Sequence, residues 1–268
     1  MQDKKNEIRV LFLGDIVGSI GRKGVAMLLP DIRKEYNIDI VIGNVENAAG
    51  GFGVTEKVIW EIIDAGVDIL TSGNHIWDKK EGINILDSCE RIIRPANYPR
   101  GVPGKGYIIL SHFDEKICII NLQGRVFMEP LDCPFKIVEE IIEKVKNETK
   151  IILVDMHAEA TSEKIAMGYF LDGKVTAVIG THTHVQTADE RILDGGTGYI
   201  TDAGMCGAEN SILGVGKEAV LNKFLLHIPQ RFEVPEKGLF KMEGVIIEIE
   251  KETGKTKKIE RLQRRGKV

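Results

Sequence analysis

The sequence predicts an α/β fold with mixed β-sheets, and three observations predict it. Short runs rich in Val and Ile alternate with helical patterns over the first two-thirds of the chain, the signature of β-α-β units. Two pairs of apolar runs, 107–112 with 116–121 and 239–250 with 256–263, are split by short polar stretches, as in antiparallel hairpins. The 268 residues are 43% hydrophobic and 28% charged, which is enough apolar material for a substantial core. With no repeat and no low-complexity linker, residues 1–268 are expected to form a single domain.

Each element follows from its own residues. "IRVLFL" (8–13) reads as a buried strand. "RKGVAMLLPDIRKEY" (22–36) has helical spacing, with a kink threatened at Pro30, which lacks an N–H. "IDIVIG" (38–43) is the next strand, and "TEKVIWEIIDAG" (55–66) the next helix, with Thr55 as N-cap. "VDILTS" (67–72) is a strand. "YIILSH" (107–112) and "KICIIN" (116–121) flank the polar "FDE" as a hairpin. "PFKIVEEIIEKVKN" (134–147) is an amphipathic helix with Pro at its start. "KIILVDM" (150–156) is a strand, "TSEKIAMGYFL" (161–171) a helix, and "VTAVIG" (175–180) and "TGYITD" (197–202) are strands. "KEAVLNKFL" (217–225) is read as a helix, and "LFKMEGVIIEIE" with "TKKIERLQ" closes the chain as a hairpin across Thr253-Gly254.

Composition excludes several classes. Lys+Arg 36 against Asp+Glu 40 gives a net charge of -4, without the broad basic footprint of a nucleic-acid binder. The basic C-terminal "KETGKTKKIERLQRRGKV" reads as a solvated strand and tail, so no stable nucleic-acid partner is expected. Cys89, Cys118, Cys133 and Cys206 form no C-x-x-C pair and no disulfide framework. Buried, reduced thiols fit a cytoplasmic protein. The apolar run in "MQDKKNEIRVLFLGD" is too short for a signal-peptide core. No stretch approaches the roughly 20 apolar residues of a membrane helix, so no membrane is expected. Nothing in the sequence opposes a homo-oligomer.

The polar residues after the strands carry the chemistry. "GDIVGSIGR" brings Asp15, "GNVENAAGGFG" brings Glu46 and Asn47, and "SGNHIWD" brings Asn74 and His75. "HAEATSE" brings His157, and "THTH" brings His182 and His184. In α/β sheets, sites form outside the carboxyl ends of strands. One cluster can therefore collect Asp15, Glu46, Asn47, Asn74, His157, His182 and His184. Singly, Asp15 would be a turn or helix cap, and Asn47 a turn residue. The glycines of "GDIVGSIG" match neither G-x-G-x-x-G nor the P-loop, which removes a nucleotide loop. His112 and His227 read as surface or satisfied core residues, and Cys206 as a small buried one. Asp155 reads either as a group that orients a ligand or as a backbone hydrogen-bond partner. Arg125 reads as a bidentate phosphate contact or as half of a structural ion pair.

If extended, residues 182 and 184 share a face, so their imidazoles can bind one metal or one each of a pair. Carboxylate, amide and imidazole donors without a convincing thiolate suit Fe, Mn or Zn in a catalytic centre rather than a Cys-rich structural zinc. Seven candidate ligands exceed what one tetrahedral ion uses, and two ions with a bridging carboxylate would use them all.

"GDIVG", "GNVENAAGG", "SGNHIWD", "DMHAE" and "GTHTHVQTAD" occur in the order expected of calcineurin-like metallophosphoesterases. In detail the chain resembles the YmdB-like branch, and "NLQGRVFM" (121–128) and "TDAGMCG" (201–207) extend the resemblance over nearly its whole length. Val17, Glu46, Ile76 and Thr181 depart from the general superfamily pattern in the way that branch does. The resemblance implies a four-layer αββα sandwich and activity on cyclic nucleotides. It implies two ions, most often iron with manganese also effective, one held by Asp15, Glu46, Asn47 and His184. The other would be held by Glu46, Asn74, His157 and His182. His75 would stay unligated beside them, as general acid to the leaving alkoxide while a metal-bridging hydroxide attacks phosphorus, or as an orienting or phosphate-binding group. The expected substrate is a small phosphodiester, a 2′,3′- or 3′,5′-cyclic nucleotide. A metal- or nucleotide-dependent regulatory binder with incidental hydrolysis stays open beside the enzyme, and a phosphomonoesterase is a third reading.

Overall fold

The computed structural model describes residues 6–112 and 114–268. The first five residues, read above for a signal peptide, and Phe113 of the hairpin turn lie outside the described residues. In chain order the elements are β1 (Glu7–Leu13), β2 (Asp15–Ile16), α1 (Gly18–Glu35), β3 (Ile40–Asn44), α2 (Glu56–Asp64), β4 (Ile69–Thr71), a 3-10 turn (Asn74–Trp77), α3 (Lys80–Ser88), β5 (Tyr107–His112), β6 (Glu115–Gln123), α4 (Pro134–Val145), β7 (Ile151–His157), α5 (Thr161–Phe170), β8 (Ala177–Thr181), β9 (Arg191–Ile192), β10 (Gly198–Ile200), β11 (Met205–Ala208), α6 (Lys217–Leu226), β12 (Leu239–Glu250) and β13 (Thr256–Lys267).

Two mixed sheets result. The first runs β2-β11-β12-β1-β3-β4, with β13 on the other edge of β12. Within it β1, β3 and β4 are parallel, while β12 is antiparallel to β1, β11 and β13. The second runs β5-β6-β7-β8-β10-β9, with β6, β7, β8 and β10 parallel and hairpin strand β5 antiparallel on one edge.

The layers follow from alternation along the strands. In β1, Val10 and Phe12 point into a core shared with Ile119, Leu153, Ile179 and Ile247, which lies between the sheets. Leu11 and Leu13 point the other way, toward Val25, Leu29, Ile59 and Ile62 of α1 and α2. In the second sheet Ile120 and Val154 face Val138 and Ile141 of α4 and Met167 of α5. Period-2 strands with both faces covered thus give helix, sheet, sheet, helix, the four-layer αββα order.

Local signals explain most boundaries. Thr55 caps α2, its hydroxyl accepting from the Val58 N–H at 3.4 Å. Pro134 opens α4. α1 continues through Pro30 and starts at Gly18 rather than residue 22, because its glycine-rich first turn packs on β11. α3, β9 and β11 were not among the expected elements. α3 is short with a glycine inside it, β9 has two exposed residues, and the small residues of "MCGA" show no strand signature. α6 buries only Val220, and Leu221, Phe224 and Leu225 stay exposed. Among the described residues no helix is long and apolar enough to cross a membrane.

Candidate metal centre

The carboxyl ends of parallel strands from both sheets meet at one place. Asp15 follows β1, Glu46 and Asn47 follow β3, and Asn74 and His75 lie on the 3-10 turn after β4. From the second sheet come His157, the last residue of β7, and His182 and His184 just after β8. Asp15 and His157 are fully buried, and Glu46 is 1% exposed.

The contacts form two sets. His157 Nε2 lies 3.2 Å from Glu46 Oε1, 3.1 Å from Asn74 Oδ1 and 3.1 Å from His182 Nδ1. Among the described residues, Glu46, His157 and His182 form a group of metal-competent atoms within 4.8 Å of one another. In the second set, His184 Nε2 lies 3.1 Å from Asn47 Oδ1 and 4.0 Å from Asp15 Oδ1.

The far side of each imidazole decides what the near side can do. His184 Nδ1 lies 3.0 Å from the Leu213 carbonyl oxygen, which only accepts, so Nδ1 carries a proton. The Nε2 of the neutral ring is then a lone pair, and it faces a second acceptor, Asn47 Oδ1. The Asn47 amide cannot flip without losing its Nδ2–H bond to the Gly51 carbonyl at 2.9 Å. At His157 the Thr181 hydroxyl donates to Asp155 Oδ1 at 2.7 Å and so accepts from His157 Nδ1 at 2.9 Å. At His182 Nε2 lies 3.0 Å from Glu159 Oε2, turning Nδ1 inward. His182 and His184 therefore aim lone pairs inward, His157 does so once Nε2 gives up the proton it shares with Glu46, and Asp15 Oδ1 is buried with no hydrogen-bond partner among the described residues. Converging acceptors of this kind fit cations that displace that proton, and the outer partners fix ring tautomers as partners of metal-bound histidines do.

Sequence reasoning missed part of this. Glu159 and the Leu213 carbonyl carry no sequence signal, and Thr181 stood out only as a departure from a motif. Asp155 bonds side chains, Oδ1 accepting from the Thr181 hydroxyl and Oδ2 from Asn44 Nδ2 at 3.1 Å. The expectation that His182 and His184 share a face of an extended segment is corrected. Both have left-handed backbone, φ 99° and φ 62°, which costs about 1–3 kcal/mol each in a non-glycine residue. The bent loop sends the two rings to different sets, His182 to Glu46 and His157 and His184 to Asn47. The His182 N–H donates to Asp15 Oδ2 at 3.0 Å, tying the loop to the first sheet.

Electrostatics couple these groups. Burial raises the Asp15 carboxyl, against the pull of His184 and then His157. Burial alone would also raise Glu46, but the His157 imidazole and the His75 N–H overcome it and hold that carboxyl down at about 2. Burial would lower His157, yet Glu46 and then Asp15 raise it to about 9. Burial, reinforced by His157, pushes His182 down to about 3.

His75 sits outside both sets of contacts. Its N–H donates to Glu46 Oε2 at 3.0 Å, and its Nδ1 lies 2.8 Å from Asp78 Oδ2. Its ring packs edge-on against Phe52 at 5.0 Å. Arg125 lies on the loop after β6. Its guanidinium contacts Cys133 Sγ at 3.4 Å, and its N–H donates to Glu163. His227 is exposed and caps the carboxyl end of α6. Cys206 is buried as expected.

The model of the YmdB-like protein family matches residues 11–262. The chain is 48% identical over 255 residues to the 2′,3′-cyclic-nucleotide 2′-phosphodiesterase of Bacillus subtilis (strain 168), covering 95% of this chain and 96% of that protein. A crystal structure from Mycoplasma pneumoniae, described as a novel phosphatase, matches with TM-score 0.91 and 36% identity over 97% of this chain and 94% of that one. A hypothetical protein from Thermus thermophilus matches with TM-score 0.90 and 41% identity over 96% of this chain and 99% of that one. With a family match of that extent and an αββα frame that brings the motif residues together, the chain belongs to the YmdB-like family of calcineurin-like metallophosphoesterases.

Proposed function

We propose that the chain is a dinuclear metal-dependent phosphodiesterase that hydrolyses cyclic nucleotides, 2′,3′- or 3′,5′-, with His75 as general acid. The observation that carries this reading is the set of three imidazoles whose outer nitrogens meet acceptors, which turns their inner nitrogens toward one another and toward carboxylate and amide oxygens. Similarity to a 2′,3′-cyclic-nucleotide 2′-phosphodiesterase supports the substrate class. In this reading Asp15, Asn47 and His184 hold one ion, Asn74, His157 and His182 the other, and Glu46 both. The mixed donor set suits Fe, Mn or Zn, and the family resemblance favours iron among them. The bound ions would supply Lewis acidity toward the phosphate and lower the pKa of water.

The chain's own groups do the rest. Asp15 and Glu46 bring two negative charges to the site, leaving it net positive toward a phosphodiester once two divalent ions are bound. His75 directs its Nδ1 to Asp78, so its Nε2 is the atom available to a substrate oxygen. Proton delivery from Nε2 to the leaving alkoxide contributes about 10²–10⁴-fold. Residues 1–268 act as one functional unit in this reading, because each sheet contributes ligands.

The test is turnover of a cyclic-nucleotide panel by the Fe- and Mn-loaded protein. Hydrolysis of a cyclic nucleotide is expected, and His75→Ala should keep its metal while losing at least about 100-fold in turnover. On a diester with a good leaving group the loss should be small. Equal turnover by His75→Ala on the cyclic nucleotide removes His75 from the acid role. Tight nucleotide binding without product contradicts the enzyme reading.

A further inference from the structure

The motif "TDAGMCG" has no role so far, although its Asp202 is fully buried beneath the histidine loop. Its partner Lys164, on the inner face of α5, is 1% exposed. Lys164 Nζ donates to Asp202 Oδ2 at 2.7 Å. The same oxygen accepts from the N–H of Thr183 at 3.0 Å and from its hydroxyl at 2.7 Å. Asp202 Oδ1 accepts from the Gly204 N–H at 2.8 Å. Thr183 stands between the two histidines, and it is they, not Thr183, that have left-handed backbone.

Two closely spaced excursions of that kind do not persist in an isolated chain, so the surroundings must impose them. Asp15 fixes the His182 N–H, and Leu213 fixes the His184 ring. Asp202 grips the residue between them, by two bonds at once. That carboxylate accepts from four donors, and Lys164 supplies the ammonium among them. A lysine ammonium has no reason to be buried in a helix–sheet layer otherwise filled by Met167, Val178 and Tyr199.

We propose that Lys164 and Asp202 are positioning residues for the metal centre, acting through Thr183 to hold the His182–His184 turn in the shape that divides its rings between two ions. The proposal rests on the reading of those histidines as ligands. Neither Lys164 nor Asp202 reaches the ligand set. Their effect is to preorganise it, so the loop need not be ordered when metal binds.

The test uses full-length protein stripped of metal, titrated with Mn²⁺ by calorimetry and followed by electron paramagnetic resonance. Thr183→Val, which deletes one hydroxyl, should weaken Mn²⁺ binding by about tenfold, as loss of an outer partner does elsewhere. Thr183→Ser, which restores the hydroxyl, should bind within about twofold of wild type. Lys164→Met/Asp202→Asn removes both charges and leaves neither ion alone; it should weaken binding about 10–100-fold and reduce the spin-coupled Mn pair signal. If that double variant does not fold, the Thr183 pair decides. Wild-type Mn²⁺ affinity in Thr183→Val overturns the proposal, as does a Thr183→Ser variant as weak as Thr183→Val. The His184→Ala control separates the two readings. If it binds two Mn²⁺ as wild type does, the ligand reading itself falls; if it loses an ion while Thr183→Val does not weaken, only the positioning role falls.

Discussion

At His157 every contact has a direction. Thr181 takes the proton of Nδ1, Glu46 and Asn74 face Nε2, and Asp155 anchors Thr181 from behind. Glu46 holds a proton on this ring up to about 9, whereas a metal ligand must be unprotonated. Cation binding below that pH therefore expels a proton. Mn²⁺ affinity should rise by about tenfold per pH unit toward pH 9 and then flatten. Calorimetry in buffers of different ionisation heat should count about one released proton at pH 7. Zero protons released would contradict the His157 assignment. The sign for the metal-free fold is opposite. A histidine raised from 6.5 to about 9 stabilises the folded chain fully below 6.5, and that contribution is lost as pH rises through about 9. At this scale much of the site was legible in the sequence, because Asp15, Glu46, Asn47, Asn74, His157, His182 and His184 all follow apolar runs. The partners that fix tautomers were not. Glu159 and the Leu213 carbonyl become neighbours only through tertiary folding, and Lys164 looks like any helix lysine until α5 is docked.

Elements set how closely the candidate ligands approach. The 3-10 turn after β4 carries Asn74 and His75, and Gly73 precedes it with φ -156° and ψ -146°. What excludes other residues is space. A Cβ on Gly73 would stand 2.2 Å from His157 Nε2 and 2.4 Å from Glu46 Oε2. Gly73→Ala is therefore expected to keep the far-UV circular dichroism of the wild type and to lose at least about tenfold in Mn²⁺ affinity. Unchanged affinity would mean that the turn does not set the ligand spacing. The sequence foretold most strands and helices because their periodicity is strong, as in α4, where Val138, Ile141 and Val145 recur on one face. It did not foretell the left-handed turn at His182 and His184. That geometry is imposed by contacts from Asp15, Leu213 and Asp202, and no local propensity encodes it.

Across the molecule, the site exists only where the two sheets are packed. Asp15, Glu46, Asn47 and Asn74 come from the first sheet, and His157, His182 and His184 from the second. Phe12 sits in the layer between them, 1% exposed, among Ile119, Leu153, Ile179 and Ile247. Phe12→Ala should cost about 3–5 kcal/mol in urea unfolding, with metal release at the same midpoint as loss of structure. Metal release well before unfolding would show that the sheets separate independently.

In the proposed function, seven side chains from two sheets form two adjoining cation sites with Glu46 between them. Anomalous diffraction from crystals of the Mn-loaded protein tests it most directly. Two peaks are expected, one bounded by Asp15, Asn47 and His184 and the other by Asn74, His157 and His182, each in contact with Glu46. A single peak, or two peaks of which one does not touch Glu46, would contradict it.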